Sequence, residues 1–161
     1  MKNNQILKGI LSNFCIVIFI FLLDRLSKHF ILKFFETSIK QEIEVYSFLK
    51  FNLLWNNGIA FGLLQVNHIH YYNLITILIL MILIFVTWIA FKSKGLEKIS
   101  YLIILGGGLG NIFDRLYYGS VIDFIDISYK NFHWFIFNVA DIFITLGVFI
   151  LIYREFKKKN V

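Results

Sequence analysis

The stretch from Tyr71 to Phe91, YYNLITILILMILIFVTWIAF, contains no charged residue. A helix that crosses a bilayer needs about 20 predominantly apolar residues, so this run has the length and composition of one. Tyr71, Tyr72 and Trp88 fall near its ends, where amphipathic rings act as interfacial anchors. The whole chain agrees with this reading. Of its 161 residues 58% are hydrophobic and only 16% are charged, which excludes an ordinary soluble globular domain. Proline is absent, so no apolar run carries a built-in kink.

Working outward, three more segments approach spanning length. The first is apolar from Gly9 to Leu23, and Asp24, Arg25 and Lys28 then continue it towards the headgroups. The third runs from about Ile99 through Gly106-Gly107-Gly108-Leu109-Gly110 to about Leu116, and the fourth from about Phe135 to Tyr153. The expected architecture is an all-α membrane protein with four transmembrane helices, about 9–30, 71–91, 99–117 and 136–154, and a small extracytoplasmic β element. The first segment has the basic start and apolar core of a signal peptide, but no small-x-small cleavage site follows it, so it is expected to be retained. The β element is expected in Glu42 to Leu54, rich in strand formers with partial alternation. A second outer segment, Gly119 to Trp134, is short, aromatic and mixed. No linker or repeat divides residues 1–161, which read as one domain.

Charge sets the orientation. Lys2, Lys8, Lys92, Lys94, Lys98, Arg154, Lys157, Lys158 and Lys159 lie on one side of the helices, opposed there only by Glu97 and Glu155. The positive-inside rule then places both termini in the cytoplasm. The net charge of +6 reflects topology and gives a nucleic-acid partner no further support.

Nucleophiles and metal ligands are poorly represented. Cys15, the single cysteine, lies within an apolar run and reads as a core or lipid-facing thiol. Ser27 and Lys28 are helical neighbours and point in different directions, and Ser120 has no base at a recognisable spacing. His68 and His70 share a face only on a strand, while His29 and His133 stand alone. No metal and no cofactor is expected.

Polar residues gather instead in four islands: Asp24-x-x-x-Lys28, Asn56-Asn57-Gly58-Ile59-Ala60-Phe61-Gly62, Gly107 to Asp123, and Phe137-Asn138-Val139-Ala140-Asp141. Asp24 and Lys28 have the i,i+4 spacing of a helical ion pair. The glycine run is the small-residue pattern of close helix packing, and lacks the Lys-Ser/Thr of a phosphate-binding loop. Asn111, Asp114 and Arg115 follow within about a turn, and Asp114/Arg115 read most simply as a structural charge cluster. Asp123 and Asp141 differ from these, because each is flanked by apolar residues without a sequence-local cation. An ionisable group at membrane depth costs roughly 2.5 to 3.5 kcal/mol on insertion scales. Two carboxyls brought together in a low-dielectric pocket share one proton and can serve as acid and base in peptide hydrolysis through water. Alternatively they cap helix starts, with Asp141 favoured by the dipole of the fourth helix. Spacing alone leaves both readings open.

Together the islands resemble the lipoprotein signal peptidases of bacteria, the type II signal peptidases, in order and spacing over nearly the whole chain. Asp24-x-x-x-Lys28 resembles the first block and Asn56-x-Gly58-x-Ala60-Phe61 the second. Gly107-x-x-Gly110-Asn111-x-x-Asp114-Arg115, continuing to Gly119-x-Val121-x-Asp123-Phe124, resembles the third, and Phe137-Asn138-x-Ala140-Asp141 the fourth. Ile59 and Phe135-Ile136 depart mildly from the pattern. The resemblance implies that Asp123 and Asp141 are the catalytic dyad. Asp24, Lys28, Asn56, Gly58, Asn111, Asp114, Arg115, Asn138 and Ala140 would then support or bind at the site. It also implies a multi-pass protein of the bacterial cytoplasmic (inner) membrane and a mobile outer segment over the site. The implied substrate is a diacylglyceryl-modified prolipoprotein, cleaved just before the lipidated cysteine, with membrane lipids and globomycin-type cyclic peptide inhibitors as further partners. The rival from another class is a small four-helix proton- or ion-coupled transporter. A presenilin-type protease is disfavoured by the lack of Gly-x-Gly-Asp.

Overall fold

The structure is a computed structural model that describes residues 2–38, 42–58, 69–129 and 132–159. Its elements run α1 (Lys2–Thr37), β1 (Glu42–Tyr46), β2 (Leu49–Asn56), α2 (Ile69–Lys92), α3 (Gly95–Tyr118), β3 (Val121–Tyr129), β4 (Phe132–Phe137) and α4 (Val139–Lys159). The protein is thus mostly helical with a small antiparallel sheet. Two of its helices, over Gly9–Thr37 and His70–Lys92, are long and apolar enough to cross a bilayer.

α3 is the hub, packed against α1, α2 and α4. Its glycines make this possible because each faces a different neighbour. A Cβ added at Gly106 would lie 2.8 Å from Ile20 of α1, at Gly107 2.6 Å from the carbonyl oxygen of Ala140 on α4, and at Gly108 2.5 Å from Leu83 of α2. The close-packing reading of the glycine run therefore holds.

Burial is inverted relative to a soluble protein. Phe14, Phe19, Ile84, Phe85 and Phe149 are all more than half exposed, whereas Asp24, Lys28, Asn56, Asp114, Asp123 and Asn138 are at most 2% exposed. Apolar surface turned outward around an ionic interior is the arrangement lipid demands.

The sheet is larger than expected. Glu42 to Leu54 does form strands, but the segment from Gly119, expected to be a mobile cover, supplies β3 and β4, and all four strands pair antiparallel in the order β1-β2-β3-β4. The β-branched Val121, Ile122, Ile125 and Ile127 favour a strand, and its first four residues, Val121 to Phe124, are all buried, so both of its faces are covered there. The fourth helix also starts later than the expected 136, since Ile136 and Phe137 pair with Asp126 and Ile125 of β3. The first helix continues past residue 30 to Thr37. Gly119, at φ 72°, ends α3 in the left-handed conformation and turns the chain straight into β3. Ile122 and Phe124 then pack with Ile31 of α1, fixing the sheet to one end of the bundle.

Candidate active site

The site is assembled where the sheet meets that end. Asn138 and Asp141 open α4 with a reciprocal cap. The Asp141 N–H donates to Asn138 Oδ1 at 3.0 Å and the Asn138 N–H to Asp141 Oδ2 at 3.3 Å. This satisfies first-turn donors that a helix cannot satisfy itself. The capping reading of Asp141 is therefore correct, and it coexists with a place in the site. Its second oxygen, Oδ1, accepts Asn111 Nδ2 at 2.8 Å.

Asp123 sits on β3, so the thought that it caps a helix gives way to a strand position. Asn138 Nδ2 donates to its Oδ1 at 2.6 Å and Asn56 Nδ2 to its Oδ2 at 2.8 Å. Asn56 is carried by β2, whose register pairs Leu54 with Asp123. Asn138 thus touches both aspartates, and both line one cavity of 260 Å³. Burial, and then the nearby Asp141 carboxyl, push the Asp123 carboxyl up to about 7 against the two amide hydrogen bonds.

Behind the pair lies an ionic cluster. Lys28 is 3.0 Å from Asp24, the expected i,i+4 pair, and also 2.7 Å from Asp114, while its ammonium donates to Asn111 Oδ1 at 3.1 Å. Asp24 Oδ1 accepts the Ala140 N–H at 3.0 Å, and Asp114 Oδ2 accepts the Ile122 N–H at 3.2 Å. Asp114 and Arg115 are not a cluster of their own. They point apart, Asp114 to α1, Arg115 to the cavity and to the carbonyl oxygen of Gly58, which its guanidinium contacts. Gly58 N–H in turn donates to Asn56 Oδ1 at 2.8 Å.

All eleven expected site residues, from Asp24 to Asp141, are thereby connected. Ile59, Ala60, Phe61 and His68 lie outside the described residues, as does the side chain of His133. Cys15 is exposed on α1, His29 lies beside Phe30, and the Ser27 hydroxyl donates to the Asp24 carbonyl. Among the described residues no three His, Cys, Asp or Glu side chains gather as metal ligands would.

Three contributions escaped the sequence reading. Arg25 bonds Asp114 at 2.5 Å and Asp24 at 2.6 Å. Tyr72 reaches the Arg115 carbonyl at 3.4 Å. The apolar cavity walls come from Ile79, Ile82 and Leu83 of α2, Ile104 of α3 and Ile144 of α4. Only the charge of Arg25 gave any sign beforehand.

Two carboxyls on one cavity, each oriented by amides, are suited to hold and activate a water. The family model for signal peptidase II matches residues 16–157. The chain is 44% identical over 149 residues to the lipoprotein signal peptidase of Pelagibacter ubique, covering 92% of this chain and 90% of that protein. It is 46% identical over 145 residues to the lipoprotein signal peptidase of Wigglesworthia glossinidia brevipalpis, covering 87% and 91%. A solved bacterial membrane enzyme superposes with a TM-score of 0.76 at 30% identity, over 92% of this chain and 89% of that one. Matched along nearly its whole length in sequence and in fold, the chain belongs to the signal peptidase II family.

Proposed function

We propose that Asp123 and Asp141 are the catalytic pair with which this aspartic peptidase removes signal peptides from prolipoproteins. The observation that carries the assignment is the shared cavity, in which Asn138 donates its side-chain amide N–H to the Asp123 carboxyl and its backbone N–H to the Asp141 carboxyl. The pair shares one proton, which in this reading Asp123 carries. Asp141 acts as the base: it takes a proton from the water whose oxygen attacks the scissile carbonyl carbon, while Asp123 protonates the carbonyl oxygen. Collapse of the tetrahedral intermediate breaks the C–N bond: the proton held by Asp141 passes to the leaving amine, and a hydroxyl proton of the intermediate returns to Asp123 as the carbonyl re-forms. Asn56 and Asn111 orient the carboxyls, and Arg115 and Gly58 shape the cavity rim.

Four membrane-spanning helices in a single domain over residues 1–161, both termini cytoplasmic, in a bacterial inner membrane, complete the reading. It is supported by the apolar exterior and by the basic residues at the end remote from the site. A substrate bearing a diacylglyceryl group on the cysteine after the scissile bond would hold its acyl chains in the leaflet next to the cavity. Globomycin-type cyclic peptides and membrane lipids fit the same apolar walls. Membership of a peptidase family leaves the transporter alternative without support.

Asp123→Asn and Asp141→Asn, each shown to be membrane-inserted, should abolish cleavage of a diacylglyceryl-modified prolipoprotein. Normal processing by either variant overturns the pair. Labelling of single cysteines placed at residues 94 and 155, in a Cys15→Ser background, tests the orientation: both should be shielded from an impermeant reagent added outside intact cells.

A further inference from the structure

A second hollow, larger than the site cavity at 430 Å³, lies between α1, α2 and α3. Its walls are mostly apolar, with Phe14, Val17, Leu80 and Leu105 among them; Asn13 and Thr87 add polar groups, and Lys98 alone of the lining residues is charged. Lys98 is half-buried and makes no ion pair or hydrogen bond among the described residues. Its neighbour Glu97 is engaged elsewhere, with Lys158 at 3.5 Å and Arg154 at 3.8 Å. A lysine on an apolar wall without a counter-charge creates a demand for an anion with an apolar body attached.

Two further features define that anion. α3 begins beside Lys98 without a side-chain cap from Lys94, so first-turn N–H groups and the positive end of the helix dipole face the same end, with Lys94 in the adjoining connection and Lys92, the last residue of α2, over the Trp88 ring at 3.7 Å. The α3 residues lining the hollow run from Lys98 to Leu109, a rise of about 16 Å. That is about half of a ~30 Å hydrocarbon layer, the depth of a single leaflet. A signal-peptide helix fits less well, since its start is basic and would meet Lys98 with like charge.

We propose that this groove binds one anionic diacyl phospholipid of the leaflet at that end. Its phosphodiester sits at Lys98 and the start of α3, and an acyl chain runs along α3 towards Leu109. The proposal rests on the membrane-spanning reading above. Leu83 lines both this groove and the site cavity, and it is the side chain against which Gly108 is packed, so the chain end lies directly behind a wall of the active site.

The test is native mass spectrometry of the full chain released from nanodiscs holding equal amounts of phosphatidylglycerol and phosphatidylcholine. One phosphatidylglycerol should be retained per protein in about fivefold preference, the factor one lysine contributes at an anionic surface. Lys98→Gln, verified as folded by circular dichroism, should lose the preference. Lys98→Arg should keep it, as should Lys157→Gln, which removes a charge from α4 outside the groove. Equal retention of both lipids, an unchanged preference in Lys98→Gln, or a retained peptide or second copy of the chain in place of lipid overturns the site. If Lys98→Gln does not fold, the wild-type ratio and Lys98→Arg decide. Cysteine labelling that contradicts the orientation overturns the membrane reading and leaves the lipid ratio to be judged separately.

Discussion

Asp24 reaches from α1 to α4 and accepts the peptide N–H of Ala140 at 3.0 Å. Asp114 does the same for Ile122 at 3.2 Å. Each buried carboxylate thereby holds the backbone N–H of the residue just before one of the two proposed catalytic aspartates, Asp141 or Asp123. Lys28 and Arg25 lie between the two carboxylates and neutralise both. The ionic cluster thus aligns two elements, a strand and a helix start, that share no covalent neighbourhood.

Asp24→Ala should therefore lower kcat by about 100-fold, the scale of a misplaced catalytic group, with KM little changed. Like Asp24→Ala, Lys28→Met should also lower stability. Removing one partner from a buried ionic set costs about 3 to 5 kcal/mol, and thermal unfolding in detergent would register it. An unchanged kcat in Asp24→Ala would mean that the α4 cap alone positions Asp141.

Arg25→Gln leaves Asp24 and Asp114 with Lys28 alone, one uncompensated negative charge close to the dyad. Negative charge favours retention of the shared proton. The alkaline limb of the cleavage profile should move to higher pH, and Arg25→Lys should restore it. A loss of activity with the limb unmoved would assign Arg25 to packing only.

The pKa of about 7 at Asp123 has a defined sign for stability. The folded state binds the proton more tightly than the unfolded chain, whose carboxyl titrates near 3.8. Stability is fullest below that value and declines as pH rises from about 4 to about 7, after which this group contributes no further slope. Asp123→Asn should flatten that part of a thermal unfolding profile. Cleavage by the wild type should fall above about pH 7 as the acid is lost, and a rate rising steadily beyond pH 8 would assign the proton elsewhere.

Much of this was legible in the chain because lipid imposes simple requirements. The uncharged run from Tyr71 to Phe91 reads as a helix from length alone, and Asp24 and Lys28 announce their pairing through spacing. Phe135, Ile136 and Phe137 misled for a physical reason: aromatic and β-branched residues suit a membrane helix and a strand equally, and hydropathy does not separate them. The boundary is set by Asn138, whose cap starts α4 at Val139. The partners of the α1 charges beyond their own helix, Asp114 on α3 for Arg25 and Lys28 and the Ala140 N–H on α4 for Asp24, are a fact of tertiary packing. Arg25 shows only its charge in the sequence; that its long stem bridges Asp24 and Asp114, the latter on another helix, follows from the packing of α1 against α3.

The glycines of α3 should differ in tolerance according to what they face. Gly107→Ala sets a methyl 2.6 Å from a backbone oxygen on α4 and has nowhere to yield, and Gly110→Ala meets Asp24 at 2.5 Å. Both should lose most activity and several degrees of thermal stability. Gly9→Ala meets nothing within 4 Å and should be neutral or stabilising by up to about 1 kcal/mol. Equal effects at Gly9 and Gly107 would argue against the close approach of α3 and α4.

The reciprocal cap of Asn138 and Asp141 also bears on biogenesis. A membrane peptidase made on the ribosome sits among nascent membrane chains before it is complete. Here Asp141, one of the two proposed catalytic aspartates, belongs to the first turn of α4, the last described element to be synthesised, and that turn is oriented by a carboxylate from the first helix. On this assignment the pair cannot assemble until α4 has been made and has met α1, the helix farthest from it in sequence.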